Sequence, residues 1–589
     1  MRYQLLSAGR ALATLTRANT RSRRIFELIA AGRVQRASAA LANAFKCGYG
    51  LLGTLNLLSG AAAGLNKIKS FTEIEYQKAF VLLKYGGAQA YDFASRAYAL
   101  PSLRAVQRHS PTAVLEVSPG MPTIDELFRN LSTALSGSFQ RFAHLSHGFA
   151  LMIDEIAIER RLRWDPSTNF ILGPCREHGG MCSLEFCSVD EAKALFRAIE
   201  AEKVHVASEA TVLAIGAFSS DPIIYEARPF GISGTCKREK VEGQEQLIRT
   251  ALEACKRLEN ELGPCYCIAS DGDGVRRSAM AAITMCEDLP ASSPLYPLLG
   301  PLPLFNRWTG PNALTCDIDM KHVAKRLRNT LLRVSGTKVN GVTITPLVLR
   351  AHLIDGGMHA ETADALLNPN DHQDVVLMYR LLAAIARLPE TSTNNTPISQ
   401  DVRRVLWLLG QIYYYLLSAY TEVRLSVREQ LEYLSAVAHM VMELYRSDRQ
   451  AFIPSQLYID IMIMVKNVFF CFAKTKVHDS KARFLLMLRG SDRLEKNFGL
   501  TRTSVGSDRN ADVYQLSTRM LAMVQIALIL AEHPEWHRGP RRLRLPPNIL
   551  SEADLDSRVD HINPAAWVGD LTVTSVIPLT CWNHGRELA

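Results

Sequence analysis

Residues 148–173 read GFALMIDEIAIERRLRWDPSTNFILG. The first run carries apolar residues on both alternating faces, which predicts a strand covered on both sides. A turn signal at DPSTN and a second apolar run predict that the stretch continues as a strand–strand–strand meander. Asp154 stands in the middle of the first run. An ionised aspartate there costs several kcal/mol unless something positive compensates it. One reading is an aspartate held by Arg160 or Arg161. The other is a metal ligand, because a divalent cation can compensate several convergent carboxylates.

The same texture continues outward. SVDEAKALFRAIEAE predicts a helix capped by Ser188, and ATVLAIGAFS a further strand. A helix over about 244–262 leads into GPCYCIASDGDG, a short buried strand ending in a Gly-rich turn. NALTCDIDMKHVAKRLRNTLLR then predicts a strand running into a basic helix. Upstream, residues 1–110 read as short helices with basic punctuation, followed by TIDELFRNLSTALS, a helix capped by Thr123. From about 345 to 480 the period becomes helical, as in DVRRVLWLLGQIYYYLLSAYTEV and REQLEYLSAVAHMVMELY. No internal repeat interrupts this order. The fold class expected is α/β, a mixed sheet with flanking helices, interrupted by a large all-helical insertion. Its boundaries are a helical basic region 1–110, core 111–345, insertion 346–480, core 481–545 and tail 546–589.

The bulk numbers are those of a globular protein: 589 residues, 48% hydrophobic and 21% charged. A net charge of +9 is compatible with a polyanionic partner without proving one. Twelve cysteines without a regular framework, and no signal peptide at the start, point to reduced thiols in an intracellular protein. The longest apolar run, YIDIMIMVKNVFFCFA, is broken by Asp460 and Lys466, so no membrane span is expected. Residues 1–40 hold eight arginines and one acid, Glu27. That bias fits a mitochondrial presequence, a basic arm on nucleic acid or the start of a truncated gene.

Two more acidic corners accompany Asp154. Asp271 lies where the strand of YCIASDGDG gives way to glycine, at the strand end where α/β sheets carry their chemistry. Alone it reads equally as an Asp-Gly turn, and Asp273 and Asp319 are rivals for the same role. The third corner is RGSDRLEKNFGLTRT, residues 489–503. Ser491 can cap a helix there, Asp492 suits its positive end, and Glu495 follows on nearly the same face. Leu494 and Phe498 supply an adjacent core-facing stripe. Strand Asp, strand-end Asp and helix Glu together are what a two-metal phosphoryl-transfer site requires.

LMIDEIAIERRLRWD resembles the strand bearing the first catalytic Asp in P-element and THAP-type DNA transposases. CIASDGDGVRR is similar to their second-Asp strand end, DMKHVAKRLRN to their Asp-x-x-His-x-x-Lys-x-x-Arg-Asn helix, and SDRLEKNFGLTRT to their Glu helix. The four occur in family order over roughly 140–540. SEATV, GTCK and HPEWHRGPRRLRL also resemble transposon-derived relatives of mushroom-forming fungi. The resemblance implies an RNase H-like core with Asp154, Asp271 and Glu495 as catalytic triad and ligands of Mg2+ or Mn2+, and Asp492 in support. It implies metal-dependent cleavage and strand transfer, DNA as partner, a homo-oligomer and a nuclear location. A domesticated or decayed derivative that binds DNA or a protein without cutting is the alternative. GTP binding, a property of P-element insertions, has no GxxxxGK[ST] loop behind it; SGTKVNG is the nearest stretch. No THAP-like zinc module opens the chain.

Lys321, Lys325 and Arg328 fall on one helical face, a solvated stripe or a set of phosphate contacts. Arg541 and Arg542, in HRGPRRLRL, fit phosphate contacts or nuclear import. CREHGGMCSLEFC offers Cys175, His178, Cys182 and Cys187. Their spacing departs from the usual C-x2-C pairs, so zinc is not expected.

Overall fold

The computed structural model describes residues 2–589 except 32–33, 35, 64, 66–70, 137–147, 222–223, 369–373, 394–395, 508–509, 537–548 and 551–558. The chain forms two compact units, 1–112 with 503–508, and 113–502 with 509–589. The first is helical. Its arginine-rich start lies largely on one long helix, Arg2–Ala30, and Ile25, Val34, Ala40, Leu55 and Leu58 form a small core.

The second unit is built on a five-stranded sheet: β1 Phe149–Ala157, β2 Glu209–Ala217, β3 Arg228–Thr235, β4 Cys265–Ser270 and β5 Thr315–Ile318. Their order across the sheet is β3-β2-β1-β4-β5. The first three strands are antiparallel, and β4 and β5 run parallel to β1. Phe149 to Ile153 are all buried, as the two-sided apolar pattern requires. Helix α1, Ile124–Leu135, opens with a capping box from Thr123 and Glu126 and packs on β3. Helix α2, Val241–Lys256, packs on α1 and on α3, Gly274–Thr284. The helix after Ser188 starts on that residue's hydroxyl, which accepts from the Glu191 N–H.

Two strand expectations need correction. The DPSTN turn does not extend β1 into a sheet meander. It closes a separate three-residue hairpin, Arg163–Asp165 with Phe170–Leu172, in which Asp165 accepts from Ser167 and Thr168. The sheet's third strand is instead Arg228–Thr235, whose Pro229, Gly231 and Gly234 hide it from a pattern search. These glycines are needed by close approach: a Cβ at Gly231 would meet Leu127 Cδ2 at 2.8 Å, and one at Gly234 would meet Ala207 Cβ at 2.8 Å.

After helix α4, Met320–Leu331, comes a helical stretch with α5 Val375–Ala386, α6 Pro397–Thr421, α7 Val427–Asp448 and α8 Ser455–His478. SGTKVNG forms a β-hairpin, Thr337–Val339 with Val342–Ile344, turning at Asn340 and Gly341 with positive φ. Helix α8 lies against β4 and β5. By length and hydropathy α8 and α10, Val513–Glu532, could each cross a membrane, contrary to the reading of the apolar runs. The 18-residue apolar window of α8 is 78% buried in the protein. Its charges are spent internally, with Asp460 bound by Arg277 and Arg326, and Lys474 donating to the Tyr266 carbonyl.

Candidate active site

The sheet register brings three aspartates into a row. Ile153 on β1 pairs with Ser270 on β4, and Ser270 pairs with Ile318 on β5. The next residue on each strand is therefore Asp154, Asp271 and Asp319, at one end of three parallel neighbours, where such sheets position ligands. Carboxylate oxygens of Asp154, Asp271 and Glu155 all lie within 4.8 Å of one another. Arg160 and Arg161 are not the partners of Asp154; Arg161 pairs with Glu159. The nearby guanidinium is that of Arg276, from the first turn of α3. It is ion-paired to Glu155 and stands 3.7 Å from Asp271.

Glu495 comes from α9, Asp492–Ser507, on the Asp319 side of the row. Ser491 does not cap this helix, since its buried hydroxyl has no partner. Carboxylates at the end of β5 instead anchor the residues just before the helix: Gly490 N–H donates to Asp317 at 2.8 Å and Ser491 N–H to Asp319 at 3.3 Å. Gly490 has φ +84°, and a Cβ there would meet Asp319 Oδ2 at 2.6 Å. Arg493 sets the rotation of the helix by donating to the carbonyls of Gly216, Ala217, Tyr225 and Leu488. Leu494 and Phe498 are buried, as their spacing predicts. Glu495 stands outside the tightest acidic group, 3.8 Å from Nδ1 of His322, which also lies 3.4 Å from Asp319.

Negative charge is crowded here. Burial and the neighbouring Asp271 push the Asp154 carboxyl up to about 7, against the pull of Arg276 and His322. Burial, Asp319 and Asp492 push Glu495 up to about 7. Asp492 rises to about 6 through burial and Asp319, although Lys321 pairs with it at 2.6 Å. Burial would raise Asp319 too, but its bond to His322 holds it at about 2. His322 is lowered by burial yet lifted by Asp319 to about 8. Convergent hard oxygens with carboxyls this reluctant to ionise fit a divalent cation such as Mg2+ or Mn2+.

The other candidates are placed differently. Asp273 caps α3 by accepting from Val275 and Arg276 N–H, and Asp319 caps α4 through Lys321 and His322 N–H. The basic stripe is not an open surface. Lys321 is tied to Asp492, Arg328 is fully buried and donates to the Asp374 carbonyl, and Lys325 is half-buried. Arg541 and Arg542 lie outside the described residues. Cys182 and Cys187 do not join Cys175 and His178, which meet His205 and Cys236 instead. Arg276 and Glu155 stand beside these carboxylates although no residue-type pattern singles them out, and their one signal is position, adjoining the quoted strand segments. His322 is the histidine of the DMKHVAKRLRN motif.

No protein-family model and no curated protein matches the chain. Among solved structures the fold is similar to that of the Drosophila P element transposase strand transfer complex. The match covers 81% of this chain and 96% of that chain, with a TM-score of 0.52 and 13% identity. The chain thus has a P-element-transposase-like mixed α/β fold.

Proposed function

We propose that this chain is a DNA transposase-like protein that cuts DNA and transfers strands in a metal-dependent reaction on an RNase H-like core. The observation that carries this reading is the Asp154–Asp271 pair, side by side where β1 and β4 run parallel, with Glu495 of α9 beside His322 at the Asp319 end of the same row. By the same reading, transposon ends and target DNA are its partners and it works as an oligomer. Asp154, Asp271 and Glu495 would hold Mg2+ or Mn2+, which supplies an activated water or 3′-hydroxyl and neutralises the scissile phosphate. Arg276 orients Asp271 while fixing Glu155. His322, cationic near neutrality, holds Glu495 by charge and offers a positive group to a phosphate. Lys321 keeps Asp492 from adding an unpaired charge.

A second reading, a derivative that binds DNA or a protein without cutting, rests on Arg276, whose guanidinium already offsets part of the acidic charge. Nicking of supercoiled DNA by the purified chain separates the two. Cutting should require Mg2+ or Mn2+ and fall more than about 100-fold in Glu495→Gln, with DNA binding retained in a mobility shift. Equal cutting by wild type and variant would sink the triad. Binding without any cutting by the wild type would favour the second reading.

A further inference from the structure

Three separate segments of the second unit bring two thiols and two imidazoles together, away from the acidic row. Cys175 follows the Arg163–Leu172 hairpin and precedes the single turn Arg176–Gly179 that carries His178. His205 lies on the approach to β2, and Cys236 directly follows the last residue of β3. Backbone bonds fix this meeting: Cys175 N–H donates to the His205 carbonyl at 2.9 Å, and Ala207 N–H to Gly173 at 2.8 Å. The Cys236 N–H donates to the Glu177 carboxylate at 3.1 Å.

We propose that Cys175, His178, His205 and Cys236 bind one structural Zn2+. One ligand atom from each lies within 4.8 Å of the other three. Nδ1 of His178 is 3.2 Å from the Cys175 sulfur and 3.7 Å from the Cys236 sulfur. A tetrahedral zinc with bonds of about 2.3 Å to sulfur and 2.0–2.1 Å to nitrogen has S···N edges of about 3.5 Å, which these separations bracket. The His178 and His205 rings lie 4.2 Å apart at 58°, so they do not stack flat. His205 Nδ1 is buried with no hydrogen-bond partner, an unmet need that a metal or its geometry would answer. Two soft thiolates with two imidazoles select Zn2+ over the hard cations suited to the acidic row. Four protein ligands leave no open position, the mark of a structural rather than a catalytic site.

The site clamps the hairpin loop to the outer strands of the sheet. Arg176, next to Cys175, pairs with Glu239 at 2.6 Å and donates to Thr211, which donates to Glu155. Glu155 is bound by Arg276, which faces Asp271. Zinc would thus hold one end of a polar chain whose other end orients a candidate catalytic aspartate.

Elemental analysis of the tag-free full chain, passed over chelating resin, tests this. One zinc per chain is expected, retained in Asp154→Asn and in the Cys182→Ser, Cys187→Ser double variant. It should be lost in Cys236→Ser. Cobalt exchange should give thiolate charge-transfer absorption that Cys236→Ser abolishes. Should that variant not fold, the wild type still decides: thiol titration must release the zinc in step with modification of Cys175 and Cys236. Substoichiometric zinc in the wild type, zinc unchanged in folded Cys236→Ser, or a Cys175–Cys236 disulfide in the native protein would each overturn the assignment.

Discussion

Asp154 and Glu495 have folded-state pKa values of about 7, above the ordinary 3.8 and 4.5. A carboxyl raised on folding favours the folded state only while protonated. Its contribution is present below about pH 4 and is lost as pH climbs to about 7. His322 acts in the same direction in a higher window, because its stabilisation fades between 6.5 and about 8. In metal-free buffer, Asp154→Asn should therefore gain stability over wild type as pH rises from 4 to 8, with no gain at pH 4. Urea titrations at several pH values measure this. Added Mg2+ should shrink the gap by stabilising wild type selectively at high pH; a gap independent of pH would refute the crowding. Asp154 and Asp271 were legible in the sequence because each sets a charge against an apolar strand or places it at a strand end. His322 shows only through the Asp-x-x-His motif, and Arg276 not at all, because its partner Glu155 lies 121 residues earlier. Ser491 reads as a local cap, but its hydroxyl is buried without a partner, and the approach to the helix is held by Asp317 and Asp319, more than 170 residues earlier, through the Gly490 and Ser491 N–H groups. Local patterns cannot report such distant partners.

At the scale of the element, α9 depends on Arg493 rather than on its own propensity. The helix carries Gly499 and Gly506 and is aimed by one buried guanidinium bound to four carbonyls. Arg493→Met keeps the bulk but leaves these acceptors bare. It should cost about 3 kcal/mol or more in chemical denaturation and should abolish cutting even where the variant is fully folded. Unchanged stability would show that water replaces the guanidinium without loss. The elements themselves were read unevenly. Periodic helices such as Val427–Asp448 and strands such as β2 follow from apolar pattern alone. Strand β3 did not, because its glycines serve contacts with Leu127 and Ala207 made only after folding. Cys236 follows that strand, so its meeting with Cys175 and His178 has no signal in the sequence, where Cys182 and Cys187 are the nearer cysteines.

At the scale of the second unit, the long helical stretch and the sheet are joined at several points. Asp460 on α8 holds Arg277 and Arg326, and Arg277 also donates to the Gly272 carbonyl beside Asp271. The C-terminal helix α11, Pro578–Leu588, packs on α7. Its Trp582 lies edge-on to Phe305 and to Phe469 of α8, and its indole N–H donates to the Pro303 carbonyl. A change of apolar period along the sequence separates these segments, while contacts like these tie them together. They should therefore unfold as one cooperative body rather than as a core and an appended module. Hydrogen exchange through a denaturant titration tests it. Amides of β1 and of α7 should lose protection in the same transition, and Trp582→Ala should move both by the same amount, about 3–5 kcal/mol. Two transitions, with only α7 shifted by Trp582→Ala, would mean that the helical stretch stands alone and that Asp460 does not steady the Asp271 loop.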